Sequence, residues 1–256
     1  MCRHLAYLGR PRPLRELLID PPHSLLRQSW APRTQTYGTV NADGFGVGWY
    51  AEGDPLPARY RRDSPMWTDR SFVDVARVVS SGAVLAAVRS ATDGMARGEA
   101  AVAPFCTGPY LFSHNGVVAG WPASIAMLTA RLTVPEMLAM ESVSDSALLW
   151  VVVHQRLAEG QKMPEALGNV VRLAASTAGG RLNLLLTDGR TIAATAFGDT
   201  LCWRAGDDGV VVASEPFDED GGWVEVPDRS VLVASRDGVD VAPLPLDVPP
   251  EAPWNR

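Results

Sequence analysis

Cys2 is the residue with the clearest potential for chemistry, because it directly follows the initiator methionine. Met1 is normally removed before a small residue, which leaves a thiol and a free α-amino group on one residue. With ordinary pKa values of about 7.7 to 8.0 for the amine and about 8.5 for the thiol, the amine accepts the thiol proton near neutral pH. This pair would be an activated nucleophile that needs no histidine. The alternative is an accidental cysteine at a frayed terminus, but Leu5, Tyr7 and Leu8 predict a buried strand that holds the terminus.

Arg89 and Asn115-Gly116 each have a functional and an ordinary interpretation. Arg89 ends the apolar run Val84–Val88, where its guanidinium either binds a substrate carboxylate or forms a surface ion pair. Asn115-Gly116 is typical of a two-residue hairpin turn. The same dipeptide offers an oxyanion hole made of the Asn amide NH2 and the Gly backbone N–H. These two interpretations are compatible, because a turn would display both donors at a sheet edge.

Ser144-Asp145-Ser146 precedes an apolar run, Ala147–Val153, that predicts a buried helix. The ordinary interpretation makes Ser144 or Asp145 the N-cap of that helix. The functional interpretation has the carboxylate of Asp145 bind a substrate ammonium group.

Composition excludes several classes of protein. The chain has 256 residues, of which 46% are hydrophobic, and a net charge of −6 without a basic run. We therefore expect a globular protein with no nucleic-acid partner. The absence of a long apolar run predicts no membrane span, and three scattered cysteines with no secretory signal favour a reducing cytoplasm. The histidines and cysteines lack metal-ligand spacing, and the glycines of 43–48 do not form a dinucleotide fingerprint, so we expect no metal and no cofactor.

The elements that must position these residues follow the order strands, helices, strands. Apolar runs of strand length are Arg3–Leu8, Phe45–Tyr50, Val84–Val88 and Tyr110–Phe112. Helical spacing covers Ile125–Leu132, Ser146–Ala158 and Pro164–Ala175. After Gly180 three Asp-Gly pairs, at 188–189, 208–209 and 237–238, each predict a hairpin. This order favours layered sheets flanked by helices over an alternating fold.

Six short motifs occur in one order along the chain: Cys2, Asp43-Gly44-Phe45-Gly46, Arg89-x-Ala91-Thr92-x-Gly94, His114-Asn115-Gly116, Ser144-Asp145-Ser146 and Ser214-Glu215-Pro216. Together they resemble the class II glutamine amidotransferase family of N-terminal-nucleophile hydrolases. The resemblance implies an α+β fold, a four-layer αββα sandwich. It also implies that the Cys2 thiolate attacks the γ-carbonyl of a glutamyl amide and forms a thioester that water hydrolyses.

The resemblance assigns roles to individual residues. Asn115 and the N–H of Gly116 would stabilise the oxyanion. Arg89 would take the glutamyl α-carboxylate, Thr92 would line the same pocket, and Asp145 would hold the α-ammonium group. The charges suit such a ligand, because a γ-glutamyl group presents one carboxylate and one ammonium and needs one cation and one anion.

Two positions depart from the common family pattern. Family members usually begin Cys-Gly and carry a carboxylate two residues after the aspartate, whereas this chain has Cys2-Arg3 and Ala147. The Cys-Arg start is similar to the stand-alone branch of the family. We expect a single glutamine-amidotransferase type 2-like domain over residues 1–256, with a C-terminal strap at about 243–256 and no acceptor domain.

Within that branch the sequence is most similar to ergothioneine-pathway amidohydrolases, which implies hydrolysis of γ-glutamyl-hercynylcysteine S-oxide to glutamate and hercynylcysteine S-oxide. The alternatives are a hydrolase of glutathione-like γ-glutamyl peptides, a stand-alone glutaminase subunit, and a non-catalytic binding protein that retains the fold. Trp30, Trp49 and Trp121 are candidates for a cation-π contact with the trimethylammonium group of the first substrate.

Overall fold

The structure, a computed structural model, describes residues 2–36, 38, 40–91 and 95–245. Its strands are β1 (Arg3–Pro13), β2 (Phe45–Trp49), β3 (Ala58–Arg62), β4 (Ser80–Val88), β5 (Phe105–Thr107), β6 (Tyr110–Val118), β7 (Gly180–Thr187), β8 (Ile192–Ala196), β9 (Cys202–Gly206), β10 (Gly209–Ala213), β11 (Val224–Glu225), β12 (Ser230–Ser235) and β13 (Gly238–Pro243). Its α-helices are α1 (Leu14–Leu18), α2 (Leu25–Gln28), α3 (Arg70–Val78), α4 (Ala126–Thr129), α5 (Val134–Leu138), α6 (Asp145–Ala158) and α7 (Met163–Thr177), and short 3-10 helices cover Met66–Thr68 and Glu99–Ala101.

The strand that follows Cys2 lies in the middle of a sheet. The described residues form one sheet with the order β11-β9-β10-β1-β4-β2-β3 and a second with the order β13-β12-β8-β7-β6-β5. Leu5 and Tyr7 of β1 face one side, while Ala6 and Leu8 face the other, because successive side chains of a strand point to opposite faces. The predicted buried strand at the start of the chain is therefore confirmed.

Three apolar clusters separate four layers. Phe72 belongs to the cluster between α1–α3 and the first sheet. Leu85 and Leu185 belong to the cluster between the two sheets. Trp150 and Val171 belong to the cluster between the second sheet and helices α4, α6 and α7. This order of helices, sheet, sheet and helices confirms the predicted αββα sandwich.

The long predicted helices are confirmed within one or two residues at each end. α6 and α7 correspond to the predictions over 146–158 and 164–175, whereas only the short α4 forms within the prediction over 125–132. The four predicted strands of the first half are also confirmed, and β1, β4 and β6 extend beyond the predicted runs. Hydrophobic spacing located these elements because each buries one face or one stripe.

The three predicted hairpins are present, but in two of them the glycine of the Asp-Gly pair lies outside the turn. β7–β8, β9–β10 and β12–β13 are antiparallel pairs joined by short turns. In the last two, Gly209 pairs with Gly206, and Gly238 pairs with Ser235. The two turn residues therefore precede each glycine, which is the first residue of the next strand rather than part of the turn.

The glycine-rich strand β2 lets another backbone come close, as its composition predicts. A Cβ added at Gly46 would overlap the carbonyl oxygen of Ala103. Ala103 belongs to a segment that lines the cleft beside Cys2. Glycine at position 46 therefore sets how closely this segment packs on the first sheet.

The C-terminal strap lies mostly outside the described residues, which end at position 245. At its start, the buried Leu244 donates its N–H to the carbonyl of Arg229 at 2.7 Å. In the part of the chain that the structure describes, none of the helices is both long and apolar enough to span a membrane.

Candidate active site

The nitrogen of Cys2 contacts Asn115, so the two sheets meet at the predicted nucleophile. The Cys2 N–H donates to Asn115 Oδ1 at 3.2 Å. The Sγ atom of Cys2 lies 4.0 Å from the carbonyl oxygen of Ser90, just after β4. Cys2 is half-buried, whereas Asn115 is fully buried. The structure therefore brings together the predicted nucleophile and the side chain predicted to stabilise the oxyanion.

Asn115-Gly116 is not a hairpin turn, so that part of the sequence prediction is wrong. The two residues lie inside β6, where Asn115 pairs with Asn183 and Gly116 pairs with Leu182 of β7. The β6–β7 ladder continues through both positions, so the chain does not reverse there. Gly116 has φ +153°. A Cβ at Gly116 would overlap the carbonyl oxygen of Arg181, which explains why this strand position needs glycine.

Ser214 holds the start of β1 and faces the amide of Asn115. Its Oγ accepts the N–H of His4 at 3.0 Å, and its own N–H donates to the carbonyl of His4 at 2.9 Å. Nδ2 of Asn115 donates to the same Oγ at 3.5 Å. Ser214 belongs to one of the six family motifs, but no role is predicted for it from the sequence. Only the pairing of β10 with β1 reveals that Ser214 contacts both His4, at the start of β1, and the side chain of Asn115.

Arg89 lies in the same cleft as Cys2. The walls are lined with small or apolar side chains and four polar ones, Arg89, Ser113, His114 and Ser146. Arg89 is only 9% exposed and its Nη2 donates to the carbonyl of Ala96 at 2.8 Å. Among the described residues, no carboxylate forms a salt bridge with it. A buried guanidinium without an anionic partner is suited to binding a carboxylate ligand.

Ser144 is the N-cap of α6, as the ordinary interpretation predicts, because its side chain accepts the N–H of Ala147 at 3.2 Å. Asp145 is buried beside the cleft. Its Oδ2 accepts the N–H of Val118 at 3.0 Å, and its Oδ1 accepts the N–H of Ser146 at 2.7 Å. The bond from Val118 ties α6 to the end of β6. A carboxylate has about four acceptor positions, so Asp145 retains capacity for an ammonium group. Its predicted role stays a prediction, and Thr92 lies outside the described residues.

The three tryptophans considered for a cation-π contact have different surroundings. Trp49 and Trp121 pack against the apolar clusters on the first and second sheets. Trp30 meets Trp67 edge to face, with ring centroids 5.8 Å apart, and the guanidinium of Arg27 lies 5.3 Å from its centroid. A cation already lies over the Trp30 ring, so we do not assign the contact to any of the three. Within residues 2–36, 38, 40–91 and 95–245, no three His, Cys, Asp or Glu side chains are grouped to hold a metal ion.

Burial keeps His4 neutral. His4 lies between the sheets, with Nδ1 3.1 Å from Ser113 Oγ and with Nε2 lacking a hydrogen-bond partner within the described residues. Loss of hydration, together with the nearby charges of Arg3 and His114, lowers the pKa of His4 to about 3. The unfolded chain, with a His pKa of about 6.5, therefore binds a proton between these two values that the folded protein does not.

We expect the free energy of unfolding to fall as the pH falls from about 6.5 toward 3, because protons then favour the unfolded chain. Between pH 7 and pH 5 the contribution of His4 is about 2 kcal/mol. Urea unfolding at both pH values measures this effect. The free energy of unfolding should fall by about 2 kcal/mol more in the wild type than in His4→Gln, because glutamine does not titrate. Equal losses in the two proteins would show that His4 is not the group responsible.

The chain is similar to known proteins in both sequence and fold. Residues 19–205 match the family model described as "Glutamine amidotransferases class-II". The chain is 42% identical over 245 residues to the gamma-glutamyl-hercynylcysteine sulfoxide hydrolase of Mycolicibacterium smegmatis, covering 95% of this chain and 100% of the relative. It is also 42% identical to the protein of that name from Mycobacterium tuberculosis strain H37Rv, with 95% and 97% of the two chains covered. A solved class-II domain protein from Silicibacter pomeroyi shares the fold, with a TM-score of 0.68, 23% identity, and coverage of 95% of this chain and 99% of that one.

Proposed function

Because the chain belongs to the class II glutamine amidotransferases, we propose that it hydrolyses the γ-glutamyl amide bond of γ-glutamyl-hercynylcysteine S-oxide. The products are glutamate and hercynylcysteine S-oxide, an intermediate of ergothioneine biosynthesis. The substrate assignment is supported by relatives that are 42% identical over nearly the whole of both chains and carry the name of this hydrolase. The observation that carries the mechanism is the contact between the Cys2 nitrogen and Asn115, beside a buried Arg89.

In the proposed first step, removal of Met1 makes Cys2 the amino-terminal residue. The α-amine takes the proton of the thiol, and Oδ1 of Asn115 accepts an N–H from this amine and so fixes its orientation. The thiolate then forms a bond to the γ-glutamyl carbonyl carbon, and the carbonyl oxygen becomes an oxyanion. We assign its stabilisation to Nδ2 of Asn115 and the N–H of Gly116.

The tetrahedral intermediate collapses with cleavage of the carbon–nitrogen bond. The α-ammonium group returns its proton to the departing amine, and the glutamyl group remains on Cys2 as a thioester. The α-amine next takes a proton from water, whose oxygen attacks the thioester carbonyl. Cleavage of the carbon–sulfur bond releases glutamate and restores the thiol, so the protons balance without a cofactor or a metal.

The glutamyl group needs one cation and one anion. We assign its α-carboxylate to Arg89, whose guanidinium is buried in the cleft, and its α-ammonium group to Asp145, at the start of α6. Thr92 is assigned to the same pocket from the family motif. Both charged groups lie outside bulk water, so each interaction is stronger than it would be at the surface.

We further propose that the protein acts in the cytoplasm on a small molecule, with neither a nucleic-acid nor a membrane partner. Cys2, Cys106 and Cys202 are free thiols, as expected in a reducing compartment. The acidic net charge of −6 is unsuited to a phosphate backbone.

The substrate assignment is tested by glutamate release from γ-glutamyl-hercynylcysteine S-oxide, glutathione and glutamine, offered in parallel to one preparation. We expect kcat/KM for the first to exceed the other two by about 100-fold or more, because relatives that match nearly the whole chain are named for that substrate. Equal or greater activity on glutathione or glutamine would move the protein to a different substrate of the same bond type. Absence of glutamate release from all three would favour a non-catalytic binding protein.

A further inference from the structure

Arg3, the residue after the nucleophile, has a side chain that is completely buried. Its Nε donates to Oε1 of Gln35 at 3.2 Å, and its Nη1 donates to Oγ1 of Thr200 at 3.3 Å. Its Nη2 lies 4.0 Å from Oδ1 of Asp199. One guanidinium therefore joins the start of β1 to two segments that are far away in the sequence.

The segment that contains Gln35 is itself fixed to the buried carboxylate of Glu215. The backbone N–H groups of Arg33 and Thr34 donate to this carboxylate at 3.0 and 2.8 Å, and the hydroxyl of Thr34 donates to it at 2.9 Å. Oγ1 of Thr34 also lies 3.0 Å from Oγ1 of Thr200. The 33–35 segment and the turn at 199–200 thus contact each other as well as Arg3.

The turn at 199–200 is fixed in relation to the oxyanion residue. Asn183 pairs with Asn115 across β6 and β7. Nδ2 of Asn183 donates to the carbonyls of Asp199 and Thr200 at 3.0 and 3.1 Å. Two of the three partners of Arg3, Asp199 and Thr200, are therefore held from the strand directly beside Asn115.

The buried charge of Arg3 is costly unless nearby groups stabilise it. Asp199 is shared with Arg181, whose Nε lies 3.3 Å from Oδ2. Burial lowers the pKa of Arg3, and the carboxylates of Asp199 and Glu215 oppose this effect. An arginine stays protonated in proteins, so a full charge is buried here. Such a charge is stabilised only by a fixed set of hydrogen-bond acceptors and counter-ions.

We propose that Arg3 is a positioning residue that anchors the amino-terminal nucleophile and the 33–35 segment in relation to Asn115. This inference rests on the proposed role of Cys2. A residue at the terminus is attached to the chain on one side only and frays unless it is tied down. The three-way contact of Arg3 supplies the restraint that a preceding chain would give, and a displacement of about 1 Å at the thiol is enough to slow the reaction strongly.

The geometry, rather than the positive charge, is the essential property. Lysine would keep the charge, but its ammonium group cannot reproduce the planar fork that reaches acceptors in different directions. The Arg3→Lys and Arg3→Met variants should therefore lose similar amounts of activity. A through-space effect of the charge on the thiol would instead let lysine restore the rate.

The test compares Arg3→Met, Arg3→Lys and Gln35→Ala on whichever γ-glutamyl compound the wild type cleaves fastest. We expect kcat to fall about tenfold or more in both Arg3 variants and less in Gln35→Ala, with KM changed less than about threefold. The matched control is Arg236→Met, because Arg236 donates to the carbonyl of Gly9 near the other end of β1 at 2.7 Å. Its kcat should stay within about twofold of the wild type.

Amide hydrogen exchange gives a second readout that does not depend on any substrate. The N–H of His4, bonded to Ser214, should exchange about tenfold faster in Arg3→Met, while the amides of β4 keep their protection. Uniformly faster exchange would indicate a general loss of stability and would overturn the proposal, as would recovery of kcat in Arg3→Lys. If the Arg3 variants fail to fold, unchanged kcat in both Gln35→Ala and Thr200→Val would overturn it. If the wild type cleaves no γ-glutamyl compound, the proposed function fails while the exchange result still tests the anchoring.

Discussion

Replacement of Cys2 by alanine is expected to lower kcat for γ-glutamyl hydrolysis by about 10⁴-fold or more, to the background rate. The substitution removes the atom that bonds to the carbonyl carbon, and no other thiol lines the cleft described by the structure. Glutamate release measured against the uncatalysed rate gives the magnitude. Mass spectrometry of the wild type during turnover should show a glutamyl group on the first peptide, and Cys2→Ala should show none.

Cys106→Ala is the matched control for this experiment. Cys106 is also half-buried and free, but its thiol donates to the carbonyl of Gly108 and burial raises its pKa, so it is a poor nucleophile. Its removal should leave kcat within about twofold of the wild type. Residual hydrolysis in Cys2→Ala, or its loss in Cys106→Ala, would contradict the assignment of the nucleophile. A chain that retains Met1 should also be inactive, because its Cys2 nitrogen is an amide and cannot accept a proton.

The layers of the fold could be predicted in part, because β1, β4, α6 and α7 carry long apolar runs or clear helical spacing. The helical layer on the first sheet could not. α1 and α2 have five and four residues, which is too short for a periodic pattern to develop. α3 buries only Phe72 and Ala76. These helices are stabilised mainly by packing on the sheet, which local sequence does not record.

The candidate site could also be predicted only in part from the sequence. The identities of Cys2, Arg89 and Asn115 follow from their chemistry and from a family motif. The interpretation of Asn115-Gly116 as a turn failed because glycine in a strand and glycine in a turn look alike locally. Only the approach of the Arg181 carbonyl distinguishes them. The partners of Arg3 are equally invisible in sequence, since Thr200 lies 197 positions away.

Asn115 makes two contributions that different substitutions can separate. Oδ1 accepts the N–H of the Cys2 nitrogen at 3.2 Å, which orients the base. Nδ2 is the donor assigned to the oxyanion. Alanine removes both functions, whereas aspartate keeps an acceptor for the Cys2 nitrogen and loses the donor.

We expect Asn115→Ala to lower kcat by about 10²- to 10³-fold, the usual effect of removing one oxyanion donor. Asn115→Asp should be at least as slow, because a carboxylate beside the developing oxyanion adds like-charge repulsion. KM should change little in either variant, since Arg89 and Asp145 are assigned to the substrate. Steady-state rates for both variants check these expectations, with Asn169→Ala as the control, since Asn169 of α7 bonds only to Gln161 and Arg172 among the described side chains.

The order of the two variants decides which contribution of Asn115 dominates. If the donor dominates, aspartate gives no recovery over alanine, and the kcat of both variants falls while each still binds glutamate. If orientation of the amine dominates, aspartate recovers most of the rate, because it still accepts from the Cys2 nitrogen. A tetrahedral oxyanion exists only after attack, and its stabilisation is therefore absent from substrate binding. A rise in KM without a fall in kcat would accordingly place Asn115 in substrate binding and leave the oxyanion to the backbone N–H of Gly116.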